Sequence, residues 1–329
     1  MTVLVTGGAG YIGSFTVAAL VERGERVVVL DNLSAGHRAA VPAGVELAQG
    51  DLADRRFVAG VLSENAIEEV IHFAAFTSVP ESVAKPGLYF SNNTANTLGL
   101  LQALTDAGVG RFVFSSTAAV YGEPQANPIT EDHPKNPQSP YGQSKYFSEQ
   151  ILAAFEVAHG LRHVALRYFN ACGGAPDRGE DHAPETHLVP IVLQAALGQR
   201  EAVSIFGADW PTPDGTCVRD YIHVADLADA HLRALDHLRG GGQSLQLNLG
   251  NGAGYSVAEV IESARRVTGR AIPARNAPRR PGDPSTLVAS SEAARRELGW
   301  TPRISNLDDI VASAWQWHRD HPNGYGDRL

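Results

Sequence analysis

The sequence predicts an α/β fold: a doubly wound parallel sheet followed by a smaller C-terminal α/β lobe. Three observations carry that expectation. Short β-branched runs alternate with segments of helical periodicity over about the first 170 residues. Most of the runs read as continuous apolar stretches, as strands do when both faces of a sheet are covered. The first run opens directly into a glycine turn and a helix, "VLVTGGAGYIGS" at 3–14.

The expected strands are "TVLVT" (2–6), "RVVVL" (26–30), "VELAQ" (45–49), "EEVIHF" (68–73), "RFVFSS" (111–116) and "HVALRYF" (163–169). Helical spacing of apolar residues marks 12–22, 86–107 and 141–159 between them. After Asn170 the chain changes texture. "ACGGAPDRGEDHAPETH" reads as a long loop and a domain boundary. Residues 1–171 are therefore expected to form a Rossmann-like nucleotide-binding domain. Residues 172–329 are expected to form the second lobe, with helices near 188–197, 224–238 and 256–268 and a strand near 203–206. The stretch near 220–240 is placed as a segment that packs back on the first domain.

Composition narrows the function. The chain has 329 residues and a formal net charge of −9, with no basic run, which argues against nucleic acid or an anionic membrane as partner. Cys172 and Cys217 are too few for a disulfide framework, and no Cys/His spacing suggests zinc, so no metal is expected. The N-terminus "MTVLVTGG" shows no secretory signal and no apolar run is long enough for a membrane helix, so a cytoplasmic protein is expected.

Gly7, Gly10 and Gly13 are spaced three apart between a strand and a helix. Such a turn brings backbone N–H groups and a helix N-terminus against a pyrophosphate, and its last glycine lets helix and strand pack closely. Asp31 ends the next strand, about eighteen residues beyond Gly13. A carboxylate there accepts from ribose hydroxyls and repels a 2′-phosphate, which favours NAD over NADP. Asp51, in "GDL", is placed either at the adenine edge or as the cap of the helix beginning near Asp54.

"FSSTAAVYG" (114–122) puts Ser115, Ser116 and Thr117 at the carboxyl end of the fifth strand, the edge at which open α/β sheets bind ligands. "SPYGQSK" (139–145) then opens a helix, so Tyr141 and Lys145 share one face. A phenol is a poor base at neutral pH. An adjacent ammonium and a positively charged nicotinamide are expected to lower its pKa, so that it can take a hydroxyl proton while hydride leaves for the cofactor. Lys145 can also hold the nicotinamide ribose.

With these motifs assembled, the chain resembles an extended short-chain dehydrogenase/reductase, and within that superfamily the UDP-glucose 4-epimerases. The likeness runs through "VLVTGGAGYIGS", "DNLS", "HFAA", "SSTAAVYGEP", "SPYGQSK", "LRYFN", "PETHLVP", "DGTCVRDYIHVADLADAH", "NLGNG", "RRPGD" and "ELGW", essentially the whole chain. The resemblance implies a bound NAD and no net redox. Tyr141 would take the proton of the sugar 4-hydroxyl, Thr117 would shorten the proton path, and the 4-keto sugar would turn before hydride returns. It adds Tyr11, Ile12, Asn32, Ser34, Asp51, Leu52, Phe73, Ala74, Asn92, Ser115 and Tyr168 on the cofactor side. For the UDP-sugar it implies Arg219 and Arg280 at the diphosphate, where guanidinium forks suit phosphate oxygens. Asp283 would meet the uridine ribose, Asn170 the diphosphate and sugar, Phe206 and Leu188 the uracil region, and Phe169 the sugar. Arg279 is placed at the surface.

Three positions depart from the pattern of some members. Thr77 stands where a lysine would approach the nicotinamide ribose. Leu287 stands where a tyrosine or a small residue closes the sugar pocket. His187, in "PETHL", stands where an amide would meet substrate. Related dehydratases carry Asp-Glu directly after the strand-end threonine. Here Ala118 and Ala119 follow Thr117 and cannot transfer protons. The alternatives are therefore a 4-epimerase of another UDP-sugar (UDP-xylose/arabinose or the N-acetylhexosamines) and, more remotely, an NAD-sensing binding protein. The helices at 86–107 and 141–159 resemble those that build a homodimer in this superfamily.

Overall fold

The computed structural model describes residues 1–280 and 283–327. Six strands appear in the order expected: β1 (Thr2–Thr6), β2 (Arg26–Asp31), β3 (Glu46–Gln49), β4 (Ile67–His72), β5 (Arg111–Thr117) and β6 (Arg162–Tyr168). They join one parallel sheet with β1 between β2 and β4. The chain order thus reverses at β1, which leaves a crevice at the carboxyl ends of the strands on either side.

A seventh strand, Leu245–Leu249, pairs in parallel with β6 and extends the sheet. The sequence reading did not assign it. Its five residues are "LQLNL", with Gln246 exposed at the sheet edge, so they lack the unbroken apolar run of the inner strands. With it comes the helix Val224–Arg239, whose Leu227, Leu235 and Leu238 share a core with Val3, Val5, Val17 and Leu20 of the N-terminal unit. The chain therefore crosses back over the boundary expected at residue 171, and it does so through more than the 220–240 stretch.

Side-chain alternation explains why the strands read as continuous apolar runs. Val3, Val5, Val27 and Val29 face one core, while Leu4, Val28 and Leu30 face another, built with Leu100, Leu101, Leu104 and Leu152. The second lobe has its own core, made by the helices Leu188–Ala196, Val257–Thr268 and Leu307–Asp320 around Val192, Leu193, Val260, Ile261, Ile310 and Val311. Its short strands include Val218–Arg219, which sits between Tyr255–Ser256 and Thr286–Leu287.

Two helices matter most for the site. Pro140–His159 starts where Ser139 accepts from the Gly142 N–H at 3.1 Å, with Pro140 in the first turn, and stops at Gly160 in the left-handed region (φ 71°). The segment expected as one helix over 86–107 is instead three pieces. Pro86–Tyr89 and Asn96–Asp106 flank a wider π turn, Phe90–Ala95. Inside that turn Asn93 is buried. Its amide accepts from Phe76 N–H at 2.9 Å and donates to Phe76 O at 2.9 Å and Ser144 Oγ at 3.1 Å, which ties the loop after β4 to the Tyr141 helix. π turns recur at functional sites, and here the turn supplies that clamp.

Candidate active site

The glycine turn after β1 is built by contact. Gly7 has φ +70°, and a Cβ there would sit 2.6 Å from Ala74 N. A Cβ on Gly13 would lie 2.2 Å from Gly7 O, so strand and helix can approach this closely only without a side chain. The helix Tyr11–Glu22 begins at Gly10 with no side-chain cap, which leaves its first N–H groups to an anion. Phe73 and Ala74 N–H both donate to Thr6 O, at 2.9 and 3.2 Å, holding the end of β4 against the turn.

Asp31 does more than end β2. One carboxylate oxygen accepts from Ala9 N–H at 3.0 Å and the other from Leu33 N–H at 2.8 Å. Burial pushes its pKa up, and these two N–H groups oppose the rise. Next to it, Asn32 donates to Asp51 at 2.7 Å and accepts from Ser34 N–H at 3.0 Å. The helix Arg55–Glu64 is capped by Asp54, which accepts from Arg56 and Phe57 N–H at 3.1 and 3.0 Å. Asp51 therefore does not cap that helix, and its other oxygen accepts from Ala53 N–H. Leu52 is buried beside it, and Ile12 packs on the core below the turn. An anion-ready helix end, a glycine cradle closed to any Cβ, and a buried carboxylate at the neighbouring strand end fit a dinucleotide.

At the other side of the crevice Lys145 is buried and donates to Ser115 O at 2.8 Å. Tyr141 is half-buried, its phenol within electrostatic reach of the Thr117 hydroxyl, with the Tyr89 ring edge-on at 6.5 Å. Thr117 also accepts from Ala119 N–H at 3.2 Å, capping the short turn Ala118–Val120. Thr117 and Tyr168 are register partners on β5 and β6, and the Tyr168 and Ser115 hydroxyls bond to each other.

The enclosure itself works against both charges. In the protein alone, burial pushes the Tyr141 phenol up, and the Thr117 hydroxyl pulls it back only in part. Burial also pushes Lys145 down, to about 7, against the opposing effect of Glu149. Both groups share one poorly hydrated enclosure, which disfavours each charged form, and the ammonium is directed at a carbonyl.

Behind them lies a buried network that the sequence reading missed. Glu149, one turn beyond Lys145, takes two bonds from Arg167 (2.6 and 2.9 Å) and one from Ser116 Oγ (2.6 Å). Arg167 donates to Tyr121 OH at 3.0 Å, which donates to Asn248 Oδ1 at 2.6 Å. The only signal in the sequence was a third polar residue at the same four-residue spacing as Tyr141 and Lys145.

The second lobe carries the remaining candidates. Arg219 and Leu287 are register partners on adjacent strands, and Arg219 lies 3.7 Å from Asp283. Leu287 and Phe169 both pack on Val120, Tyr121 and Ile129, which brings the lobe against the β5 side of the crevice. Arg280 stacks on Phe206 at 3.8 Å. Arg279 pairs instead with Asp209 at 2.8 Å and covers Trp210. Asn170 donates to Asp220 O at 3.0 Å, and Leu188 packs on the lobe's core. Asn92 donates to Asn93 at 3.0 Å, and Tyr11 OH to Gly173 O at 2.7 Å. His187 turns its Nδ1 to two carboxylates, Glu180 at 2.8 Å and Glu185 at 3.0 Å.

Known proteins share this arrangement. The sequence profile of the NAD dependent epimerase/dehydratase family matches residues 3–250. A UDP-glucose 4-epimerase of Lacticaseibacillus casei is 54% identical over 330 residues, covering 100% of both chains. The crystal structure of UDP-glucose 4-epimerase from Brucella ovis in complex with NAD superposes with a TM-score of 0.93 at 45% identity, covering 95% of this chain and 97% of that one. The Bifidobacterium longum enzyme in complex with NAD+ and UDP gives 0.94 at 41% identity, covering 98% and 100%. With sequence, topology and the glycine cradle in agreement over its length, the chain belongs to the NAD dependent epimerase/dehydratase family.

Proposed function

We propose that this chain is a UDP-glucose 4-epimerase that interconverts UDP-galactose and UDP-glucose with NAD held throughout. The observation that carries the reading is Lys145 anchored to Ser115 O at the carboxyl end of β5, one turn from a Tyr141 phenol placed beside Thr117, with alanines, not acids, following Thr117. Proton transfer at the sugar 4-oxygen needs one acid/base group beside a hydroxyl relay, and no second acid for elimination.

NAD, when bound, supplies the hydride acceptor for sugar C4 and the positive charge that favours a phenolate. Gly7, Gly10, Tyr11, Ile12, Gly13, Asp31, Asn32, Ser34, Asp51, Leu52, Phe73, Ala74, Asn92, Ser115 and Tyr168 are the residues proposed to hold it. Tyr141 takes the 4-hydroxyl proton through or beside Thr117 and gives it back after the sugar has turned. Lys145, fixed to Ser115 O, orients the ribose and adds positive charge to the enclosure. Arg219, Arg280, Asp283, Asn170, Phe169, Phe206, Leu188, His187 and Leu287 are proposed for the UDP-sugar. The half-chain 1–171, completed by the returning segment through Leu249, serves the cofactor, and the rest serves the nucleotide.

A homodimer is part of the same reading. Leu88, Phe147 and Val157 are exposed apolar residues on the helices that the resemblance assigns to the dimer. Two free cysteines suit a reducing, cytoplasmic setting. Among the described residues no helix is long and apolar enough to cross a membrane.

The test is UDP-galactose turnover without added NAD, by the wild type and Tyr141→Phe. Loss of roughly 10²–10⁴ in kcat with an unchanged circular dichroism spectrum is expected. Unchanged turnover in the variant ends the mechanism. Parallel assays with UDP-GalNAc and UDP-arabinose separate this substrate from its rivals.

A further inference from the structure

The loop that links the first domain to the second lobe gathers four side chains that the proposed reaction does not require together. Glu180, His182, Glu185 and His187 each offer one donor atom, and these atoms lie within 4.8 Å of one another. The two carboxylates are buried, with side-chain exposures of 4% and 3%. Both imidazoles aim the same nitrogen, Nδ1, at them. The distances are 2.8 and 3.0 Å from His187, and 3.2 and 3.6 Å from His182.

Hydrogen bonding alone accounts poorly for this geometry. One N–H can point along one line, yet each Nδ1 faces two carboxylate oxygens. The His182 Nδ1 is buried and forms no hydrogen bond at all. Ligands about 2.0 Å from a tetrahedral ion stand about 3.3 Å apart, and the four nitrogen–oxygen separations, 2.8, 3.0, 3.2 and 3.6 Å, bracket that spacing. Two buried carboxylates also repel each other unless positive charge, from a metal ion or from protonated imidazoles, lies beside them.

We propose that Glu180, His182, Glu185 and His187 form a structural site for a divalent transition metal, zinc being the ion that an N2O2 donor set of this size suits. The supporting shell is already in place. Glu185 Oε1 accepts from Thr186 and His187 N–H at 2.7 Å, which fixes that carboxylate. The site would clasp the loop at both ends. His187 is the residue at which the helix Leu188–Ala196 begins, and the His182 ring stands edge-on to Tyr11, 6.4 Å away, at the glycine turn. A bound ion there would stiffen the approach to the cofactor turn without entering the chemistry at Tyr141.

Elemental mass spectrometry tests this on the intact chain. The protein is stripped with dipicolinate, offered Zn2+ or Mg2+ in separate samples, and freed of unbound ion by gel filtration. Retention of about one zinc per chain is expected, with at least roughly tenfold less magnesium and at least roughly tenfold less zinc in Glu180→Gln/His182→Ala. Zinc retained equally by that double variant, or negligible zinc on the wild type, overturns the proposal and leaves the four residues as a proton-sharing quartet. A second readout does not depend on the variant folding. Co2+ added to stripped wild type should develop the strong visible bands of a four-coordinate ion, and a spectrum like that of aqueous Co2+ overturns the site.

Discussion

Lys145 gives its ammonium to the main-chain carbonyl of Ser115 at 2.8 Å and lies 4.9 Å from the Phe114 ring, so strand β5 holds the charge that the sequence assigns to Tyr141. The lysine is anchored by what sits at the end of the strand, and its i,i+4 spacing sets only which way it points.

Burial sets a pH signature for that anchor. The native pKa of Lys145, about 7, lies below its ordinary 10.5, so between those values the unfolded chain binds the extra proton. Stability from this group therefore rises with pH across that window and is lowest below it, with a slope approaching about 1.4 kcal/mol per pH unit. Urea unfolding of the wild type and Lys145→Met between pH 7.5 and 9 should show the steeper rise in the wild type. Parallel slopes would mean that the amine is not desolvated.

Glu149 and Arg167 form a buried pair with hydrogen bonds on both sides. Glu149→Gln strands the guanidinium in the core and should cost about 3–5 kcal/mol of stability in denaturant unfolding. Replacing both partners with apolar residues should recover much of the loss. A double variant as unstable as the single one would argue that the wider network, through Tyr121 and Asn248, dominates.

Gly7→Ala forces a Cβ to within 2.6 Å of Ala74 N from a left-handed backbone. The turn must open, and its N–H groups lose their aim. We expect the variant to purify without NAD, seen as loss of the nucleotide released on acid denaturation. Retention of full cofactor would show that the cradle tolerates a side chain.

Leu287 stands in register with Arg219 and packs beside Phe169 on the Val120 cluster. Leu287→Ala removes bulk next to the proposed sugar pocket. The ratio of kcat/KM for UDP-GlcNAc to that for UDP-glucose should rise by about 10-fold or more, one side chain's worth of pocket discrimination. An unaltered ratio would place the gate elsewhere.

The sequence by itself determined the first six strands, the glycine turn and the Tyr141 helix. Each follows from local rules: apolar runs for a doubly covered sheet, glycine where a backbone approaches, and Ser139-Pro140 at a helix start. Tertiary structure decided what depends on distance through space. It drew Leu245–Leu249 into the sheet although only three of its five residues are apolar, because the edge beside β6 asks for burial on fewer sides. It set the Tyr141 phenol in an enclosure that by itself raises its pKa, since burial is a property of the enclosure and not of the YxxxK spacing. It paired Glu149 with Arg167 across eighteen positions, and it folded a Pro- and Gly-rich loop so that Glu180, His182, Glu185 and His187 converge. No helical or strand period marks such a loop, so only the folded chain reveals which of its side chains meet.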